Sequence, residues 1–236
     1  MKKSDELSIS AVIVAAGKGR RMNSEINKMY MEIYRKPVLA RTVQVFQDCD
    51  FINEIILVVG SHEIVYCKQN IVDFYEFDKV KTLVCGGEER QNSVYNGICE
   101  ADKNCDIILI HDGARPFVKE DNIIDSINAA CEYGAASVAV PVKDTIKIAD
   151  MEGFAAETLD RSRLWSIQTP QAFKYRLICE AHAKAGDDGF IGTDDAVLVE
   201  RLGYRLKLVM GSYDNIKITT KEDLALARAL AGDMCM

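Results

Sequence analysis

The sequence predicts an α/β protein in which a mostly parallel β-sheet has helices on both faces. Two observations support this expectation: short, continuous apolar runs rich in β-branched residues, and helix-like patterns that alternate with those runs. A strand of a parallel sheet is apolar throughout because both of its faces are buried, and Ser10–Ala15 has this character. Similar runs lie at Ile55–Val59, Val80–Cys85, Asp106–Ile110 and Ala136–Val140.

The segments between and after these strands have the periodicity of helices with one apolar face. The last of these helices follows Thr219 and Thr220, either of which would cap it. A further short strand is expected at Leu206–Met210. The expected helices lie at about 38–48, 63–75, 90–101, 120–132, 174–185, 194–202 and Lys221–Ala231.

After the fifth apolar run the alternation of strands and helices stops. Val142–Ile148 and Phe154–Leu159 alternate in polarity around a turn-rich segment, Asp150–Gly153, which is typical of a β-hairpin. An isolated hairpin cannot bury both of its faces, so we expect an arm at about 142–170 that packs on a partner subunit. With no repeat or linker, residues 1–236 are expected to form one domain that bears this arm.

Composition and charge exclude several classes of protein. The chain has 236 residues, of which 48% are hydrophobic and 28% charged, as in folded globular proteins. It has no apolar run near the ~20 residues of a transmembrane helix and no signal-peptide pattern at its start, so we expect a cytoplasmic protein without a membrane partner. Its eight cysteines form no Cys-x-x-Cys pair, and we expect reduced thiols. The net charge of −7 argues against a nucleic-acid partner.

Positive charge is concentrated in a glycine-containing loop after the first strand, although chance clustering on a solvated face is the alternative. Gly17 and Gly19 would let the backbone approach a ligand, and basic residues such as Arg21 and Lys28 could pair with phosphates. The loop is not a dinucleotide-binding loop, because Met22 replaces the third glycine, and it lacks the P-loop pattern. These features suggest a small anionic ligand.

Three later segments also contain candidate ligand-binding residues. Gly86-Gly87 follows a strand, where a plain capped turn explains the glycines equally well. Asp112 follows another strand and could hold a divalent cation beside phosphates, or form an ion pair with Arg115. Asp214 could join Asp112 on the metal, and Lys217 could contact a phosphate.

The three histidines give little support for a zinc site or a Ser-His-Asp triad. His111 is expected to be packed or hydrogen-bonded rather than catalytic. His62 and His182 are expected on surface-like helical segments.

Taken together, six segments resemble the 2-C-methyl-D-erythritol 4-phosphate cytidylyltransferase family of the non-mevalonate isoprenoid pathway. The resemblance extends from about Ile9 to Leu230, with the motifs in the same order. The six segments are Ala15–Met22, Gly86–Ser93, His111–Pro116, Pro141–Lys147, Leu159–Phe173 and Asp214–Thr220.

This resemblance implies a Rossmann-like nucleotidyltransferase fold and a homodimer formed through the arm. It also implies transfer of CMP from CTP to 2-C-methyl-D-erythritol 4-phosphate, giving 4-diphosphocytidyl-2-C-methyl-D-erythritol and pyrophosphate. Arg21 and Lys28 are the implied catalytic residues, which would stabilise the pentavalent state at the α-phosphate. Mg²⁺ or another divalent cation is implied at Asp112 and Asp214.

The resemblance also implies the residues that contact the two substrates. Because the arm pairs the subunits, Thr145 and Arg161 would act across the interface. The implied CTP-binding residues are Ala15, Ala16, Gly17, Gly19, Gly87 and Ser93, and those for the sugar phosphate are Asp112, Arg115, Thr145, Arg161, Thr169 and Lys217.

The basic loop and the acidic residues suit such a reaction for a physical reason. Attack of one phosphate on a triphosphate brings several negative charges together and requires little covalent work from the protein. Cations and positioning should therefore supply most of the rate. No general base is required, because the attacking phosphate is already ionised at neutral pH.

Three alternatives remain beside this interpretation. Ribitol 5-phosphate cytidylyltransferases share most of the phosphate motifs, but Asp160-Arg161, Leu164-Trp165 and Asp214 favour methylerythritol phosphate. A nicotinamide-dependent oxidoreductase would explain the sheet but not the basic loop. A non-catalytic nucleotide-binding module would explain the glycines but would not require Lys28 and Lys217.

Overall fold

A computed structural model describes residues 7–17 and 27–233, and it confirms the predicted α/β architecture. A π-helical segment, Lys68–Asp73, continues the second helix. In chain order the elements are β1 (Ile9–Val14), β2 (Glu32–Ile33), β3 (Lys36–Pro37), α1 (Val38–Asp48), β4 (Glu54–Val59), α2 (Ile64–Cys67), β5 (Val80–Cys85), α3 (Arg90–Glu100), β6 (Ile107–Asp112), α4 (Glu120–Tyr133), β7 (Ala135–Pro141), β8 (Lys147–Ala149), β9 (Ala155–Thr158), β10 (Trp165–Lys174), α5 (Tyr175–Asp187), α6 (Ala196–Arg201), β11 (Lys207–Met210) and α7 (Lys221–Asp233).

Within the described residues, seven strands form one sheet in the order β11-β7-β10-β6-β1-β4-β5. The strand β1 pairs in parallel with both β4 and β6, and β4 pairs in parallel with β5. The carboxyl ends of these four strands therefore meet at one edge of the sheet, which is where open α/β sheets bind ligands. The loops after β1, β5 and β6 begin at this edge.

The apolar character of β1 follows from helices packed on both faces of the sheet. Successive residues of a strand point to opposite faces. Ile13 packs in a core cluster with Leu39 of α1, whereas Val12 packs in a second cluster with Val94 of α3 and Ile178 of α5. Both faces of β1 are thus buried, as the continuous apolar run predicts.

A central strand, β10, was not predicted by the sequence pattern. Trp165–Lys174 runs antiparallel between β6 and β7, and the expected arm at about 142–170 therefore ends before Trp165. The pattern missed β10 because its buried positions include polar side chains, Gln168, Thr169 and Gln171. The pairing of β10 with β7 shifts register between Ile167 and Gln171, an irregularity that is frequent beside active sites.

A small hairpin, formed by β2 and β3, was also missed. Its two central residues, Tyr34 and Arg35, have φ values of 46° and 60°. Such left-handed residues form the tight turns that match the twist of hairpin strands. Strands of two residues are too short to give a recognisable alternation of polarity.

The predicted hairpin after β7 is confirmed as β8 and β9, which pair antiparallel. Every residue of both strands is exposed. The side chain of Asp150 accepts hydrogen bonds from the backbone N–H groups of Glu152 and Phe154 and so closes the tip. Met151 and Phe154 project from this tip as exposed apolar side chains. The role of the arm in dimerisation stays a prediction.

The remaining elements agree with the expected pattern. Thr220 caps α7: its hydroxyl accepts from the N–H of Asp223, whose carboxylate accepts from the N–H groups of Thr219 and Thr220.

Between residues 7 and 233, outside the gap at 18–26, no helix combines the length and apolar character that crossing a membrane requires. The seven cysteines of the described residues are free thiols. Burial raises the pKa of Cys67 to about 12 and that of Cys105 to about 11, so both stay protonated and unreactive.

Candidate active site

A cavity of about 440 Å³ opens at the carboxyl edge of the sheet. The loop after β1 contributes Ala16 and Gly17, and the loop after β5 contributes Gly87. Asp112 lines the cavity from the end of β6, and Lys217 from the segment before α7. The structure therefore brings together four of the segments that the sequence analysis selected.

The two glycine loops touch each other at this cavity. A Cβ atom on Gly86 would overlap the Cβ of Ala16, and one on Gly87 would overlap Asn92. The hydroxyl of Ser93 accepts from the N–H of Gly87 at 3.0 Å and donates to the carbonyl of Glu89 at 3.1 Å. The glycines are thus required by close backbone approach, beyond what a plain turn would demand.

Most residues expected to bind CTP are found at this cavity. Ala16, Gly17, Gly87 and Ser93 line it, and Ala15 is buried beside them. Gly19 and Arg21 lie outside the described residues.

Lys28, the last cation of the basic loop, also lines the cavity. Its side chain is buried, and Nζ donates to the carbonyl of Ile218 at 2.9 Å. Asn27 fixes the start of this segment: its side chain accepts from the N–H of Met29 and donates to Oε1 of Glu63 at 2.7 Å. The far end of the basic loop is therefore anchored to the turn after β4.

Asp112 is the centre of an ion cluster. Within the described residues, three cationic side chains surround its buried carboxylate: Lys217 Nζ at 2.8 Å, Arg90 Nε at 3.2 Å and Arg115 Nε at 3.5 Å. Burial alone would raise the pKa of Asp112, but the charges of Arg90, Lys217 and Arg115 hold it well below its usual range. The carboxylate is therefore ionised at any pH at which the protein would work.

A second cavity, of about 290 Å³, also borders this cluster. Both cavities are lined by Arg90, Asp112 and Lys217, and the second is also lined by Arg115 and Thr169. Two anionic molecules could thus share one set of cations, which is what a transfer between two phosphorylated reactants requires.

Thr169 and His111 hold the backbone of Asp112 in place. The hydroxyl of Thr169 accepts from the N–H of Asp112 at 3.1 Å and is hydrogen-bonded to Nδ1 of His111 at 3.0 Å. Burial lowers the pKa of His111 to about 3, so the imidazole is neutral. The expectation of a packed, hydrogen-bonded His111 is confirmed.

The sequence analysis missed three charged or polar residues behind the cluster. Arg90 has not only Asp112 but also Asp195 as a partner, with Nη1 at 2.6 Å from Oδ2 of Asp195. The prediction of a surface position for His182 is wrong, because His182 is buried against Asp195. The sequence did contain a signal that His182 is buried: it follows Ile178 by four residues and therefore lies on the apolar face of α5.

Besides Ala15, three expected site residues of the described chain, Thr145, Arg161 and Asp214, line neither cavity. Thr145 and Arg161 are exposed at the base of the arm, where Arg161 donates to the carbonyl of Lys143. Asp214 is not among the lining residues of either cavity in the described part of the chain, and its carboxylate accepts from the hydroxyl of Ser212 at 3.3 Å.

The carboxylate of Asp112 would fit a magnesium ion if a bound nucleotide supplied most of the other ligands. Mg²⁺ in nucleotide sites uses one or two carboxylates, water and the phosphates of the substrate. Asp112 offers such a carboxylate at the cavity wall. The described ranges contain no group of three or more His, Cys, Asp or Glu side chains that would hold a metal without a substrate.

Comparisons with known proteins agree on one family. The family model described as 2-C-methyl-D-erythritol 4-phosphate cytidylyltransferase matches residues 9–232. The chain is similar to the protein of that description from Caldanaerobacter subterraneus subsp. tengcongensis, with 53% identity over 94% of this chain and 97% of the relative. The relative of the same description from Clostridioides difficile is 49% identical over 94% of this chain and 92% of its own length.

A solved structure supports the same comparison. The crystal structure of 4-diphosphocytidyl-2C-methyl-D-erythritol synthase from Anaerococcus prevotii superposes with a TM-score of 0.86 and 35% identity. The match covers 97% of each chain.

We expect Gly86→Ala to lower the affinity for CTP at least about tenfold, because the added methyl group would push the loop after β1 away from the loop after β5. Calorimetric titration with CTP measures this change. Gly186→Ala is the matched control, since a Cβ there meets nothing within 4 Å. Equal affinities for CTP in the two variants would contradict the inferred contact between the loops.

Proposed function

Because the chain belongs to the 2-C-methyl-D-erythritol 4-phosphate cytidylyltransferase family and transfers CMP from CTP to 2-C-methyl-D-erythritol 4-phosphate, we propose that the ion cluster at Asp112 performs this transfer. The observation that supports the assignment is the pair of cavities that share Arg90, Asp112 and Lys217. CTP occupies the larger cavity, and the sugar phosphate occupies the smaller one. The family match does not favour the ribitol phosphate, oxidoreductase or non-catalytic alternatives.

The reaction is an in-line displacement at the α-phosphorus of CTP. A phosphate oxygen of the acceptor forms the new bond to phosphorus, and the bond to the bridging oxygen of the β-phosphate breaks, which releases pyrophosphate. Negative charge accumulates on the oxygens around phosphorus as this happens. Cations already held in place stabilise that charge without the cost of reorganising them.

The cations divide this work according to their positions. Lys28 and Arg21 stabilise the pentavalent state at the α-phosphate, while Ala15, Ala16, Gly17, Gly19, Gly87 and Ser93 hold CTP. Lys28 is supported by its place in the wall of the larger cavity. On the acceptor side, Arg115, Thr169 and Lys217 line the smaller cavity and hold the sugar phosphate.

A divalent cation, Mg²⁺ in the simplest case, would be held by Asp112 together with the phosphates of CTP. It would supply positive charge to offset that of the triphosphate. Asp214 is the second proposed ligand, although in this structure its carboxylate contacts Ser212 rather than the cavity.

The active protein is a homodimer in the cytoplasm. The arm supports the dimer, because Ile148, Met151 and Phe154 are exposed apolar side chains that a second subunit would cover. Thr145 and Arg161 then reach the sugar phosphate in the site of the other subunit. The free thiols of the described chain support a reducing compartment.

A panel of substrate pairs tests the proposed function. Pyrophosphate release is measured for each of the four nucleoside triphosphates with 2-C-methyl-D-erythritol 4-phosphate or ribitol 5-phosphate. We expect kcat/KM for CTP with the methylerythritol phosphate to exceed every other pair by at least about 100-fold. A preference for ribitol phosphate, or release of pyrophosphate without any acceptor, would refute the assignment.

Mixed dimers test whether Arg161 acts across the interface. Arg161→Ala should raise KM for the sugar phosphate far more than KM for CTP, and Lys28→Ala should lower kcat. If Arg161 serves the neighbouring site, mixing the two variants regenerates one intact site in each mixed dimer, or about a quarter of all sites after random exchange.

The mixture is assayed at a low concentration of the sugar phosphate, with each variant alone as its control. Activity of the mixture that equals the mean of the two variants would place Arg161 in the site of its own subunit.

A further inference from the structure

A buried carboxylate, Asp195, stands behind the active site at the start of α6. Its side chain is 1% exposed, and Oδ2 lies 2.6 Å from Nη1 of Arg90. Its other oxygen, Oδ1, lies 3.3 Å from Nε2 of His182. A buried carboxylate is costly unless it is paired, so the ion pair with Arg90 accounts for an ionised group at this depth. Asp195 lines neither cavity and is therefore out of reach of a substrate placed in them.

Arg90 is held between two carboxylates by different nitrogens. Nη1 faces Asp195, whereas Nε lies 3.2 Å from Oδ1 of Asp112. The guanidinium group is planar and has its donors in fixed directions, so two partners on two sides fix its orientation. Arg90 lines both cavities, and its orientation determines where its charge is placed between the two reactants.

Asp195 is itself held firmly. Its N–H donates to Oε1 of Gln171 in β10 at 3.2 Å. Nε2 of the same glutamine donates to the carboxylate of Asp194 at 2.8 Å. His182 stacks on the ring of Tyr95, which belongs to the same helix as Arg90. The strand β10 and the helices α3, α5 and α6 therefore meet at this carboxylate.

We propose that Asp195 is a positioning residue for the transfer reaction, which acts through Arg90 by holding its guanidinium group against one oxygen of Asp112. The inference rests on the proposed role of the Asp112 cluster. Without the charge of Asp195, Arg90 is able to turn a second nitrogen toward Asp112 and form a two-pronged pair with that carboxylate. The carboxylate would then be withdrawn from Lys217 and from the reactants.

The expected consequence is a loss of turnover rather than of nucleotide binding. Asp195 lines neither cavity, and in the described part of the chain its side chain is paired with Arg90 and His182, so KM for CTP should change by less than about twofold in Asp195→Asn. The misdirected charge of Arg90 should lower kcat about tenfold or more, because small displacements of charged groups are costly in the transition state. Asp195→Glu retains the charge and should recover part of kcat.

A double-mutant cycle separates positioning from a purely structural role. Arg90→Ala, Asp195→Asn and the double variant are compared by kcat, after active-site titration with CTP and thermal melting have established the folded fraction. If Asp195 acts through Arg90, the double variant should match Arg90→Ala within about twofold, whereas independent effects would multiply. Glu200→Gln, an exposed change on the same helix, is the control.

The kcat values of these variants decide whether Asp195 acts through Arg90. A kcat of Asp195→Asn equal to that of Glu200→Gln, or losses that multiply in the double variant, would overturn the inference. Should Asp195→Asn fail to fold, the same cycle is performed with Asp195→Glu, whose partial loss of kcat should likewise disappear when Arg90 is already replaced by Ala. An active Asp112→Asn variant would instead refute the proposed function, so the two failures are distinguishable.

Discussion

The arrangement of the site depends on the free-energy cost of burying the carboxylate of Asp112. Asp112 ends a strand that is paired on both sides, so its carboxylate lies below the surface. A buried charge is tolerated only when it is paired. Arg90, Arg115 and Lys217, which are far apart in the sequence, meet that requirement. The ion cluster thereby draws α3, the loop after β6 and the segment before α7 to one place.

The same cluster explains how the site is arranged for two anionic reactants before they bind. Cations that faced each other without an anion would repel and move apart, but Asp112 keeps them close before any phosphate arrives. The close approach of Gly86 to Ala16 brings the loops after β1 and β5 together. Lys28, with its Nζ on the carbonyl of Ile218, connects the basic loop to the segment that contains Lys217. Electrostatic preorganisation of this kind is the main source of catalytic power in phosphoryl transfer.

The sequence predicted a strand or helix correctly where continuous apolar character or helical periodicity alone determines the structure of the segment. The strand Val80–Cys85 and the helix Val38–Asp48 have the expected bounds. The strand β10 escaped prediction, because Gln168 and Gln171 occupy buried positions for the sake of hydrogen bonds to distant segments. The pair formed by Arg90 and Asp195 joins residues 105 positions apart, and no short-range pattern reports such a contact. The structure of one chain does not bring Arg161 to a cavity, because the site in which it is proposed to act belongs to the other subunit.

The unfolding free energy of Asp112→Asn, measured in urea with and without pyrophosphate, tests the central claim most directly. Removal of the negative charge leaves the cations unbalanced, so stability should fall by about 3 kcal/mol. Pyrophosphate should then stabilise the variant more than the natural protein, because the anion replaces the missing charge in the folded state. Stability within about 0.5 kcal/mol of the natural protein, or equal stabilisation of both by pyrophosphate, would contradict the account.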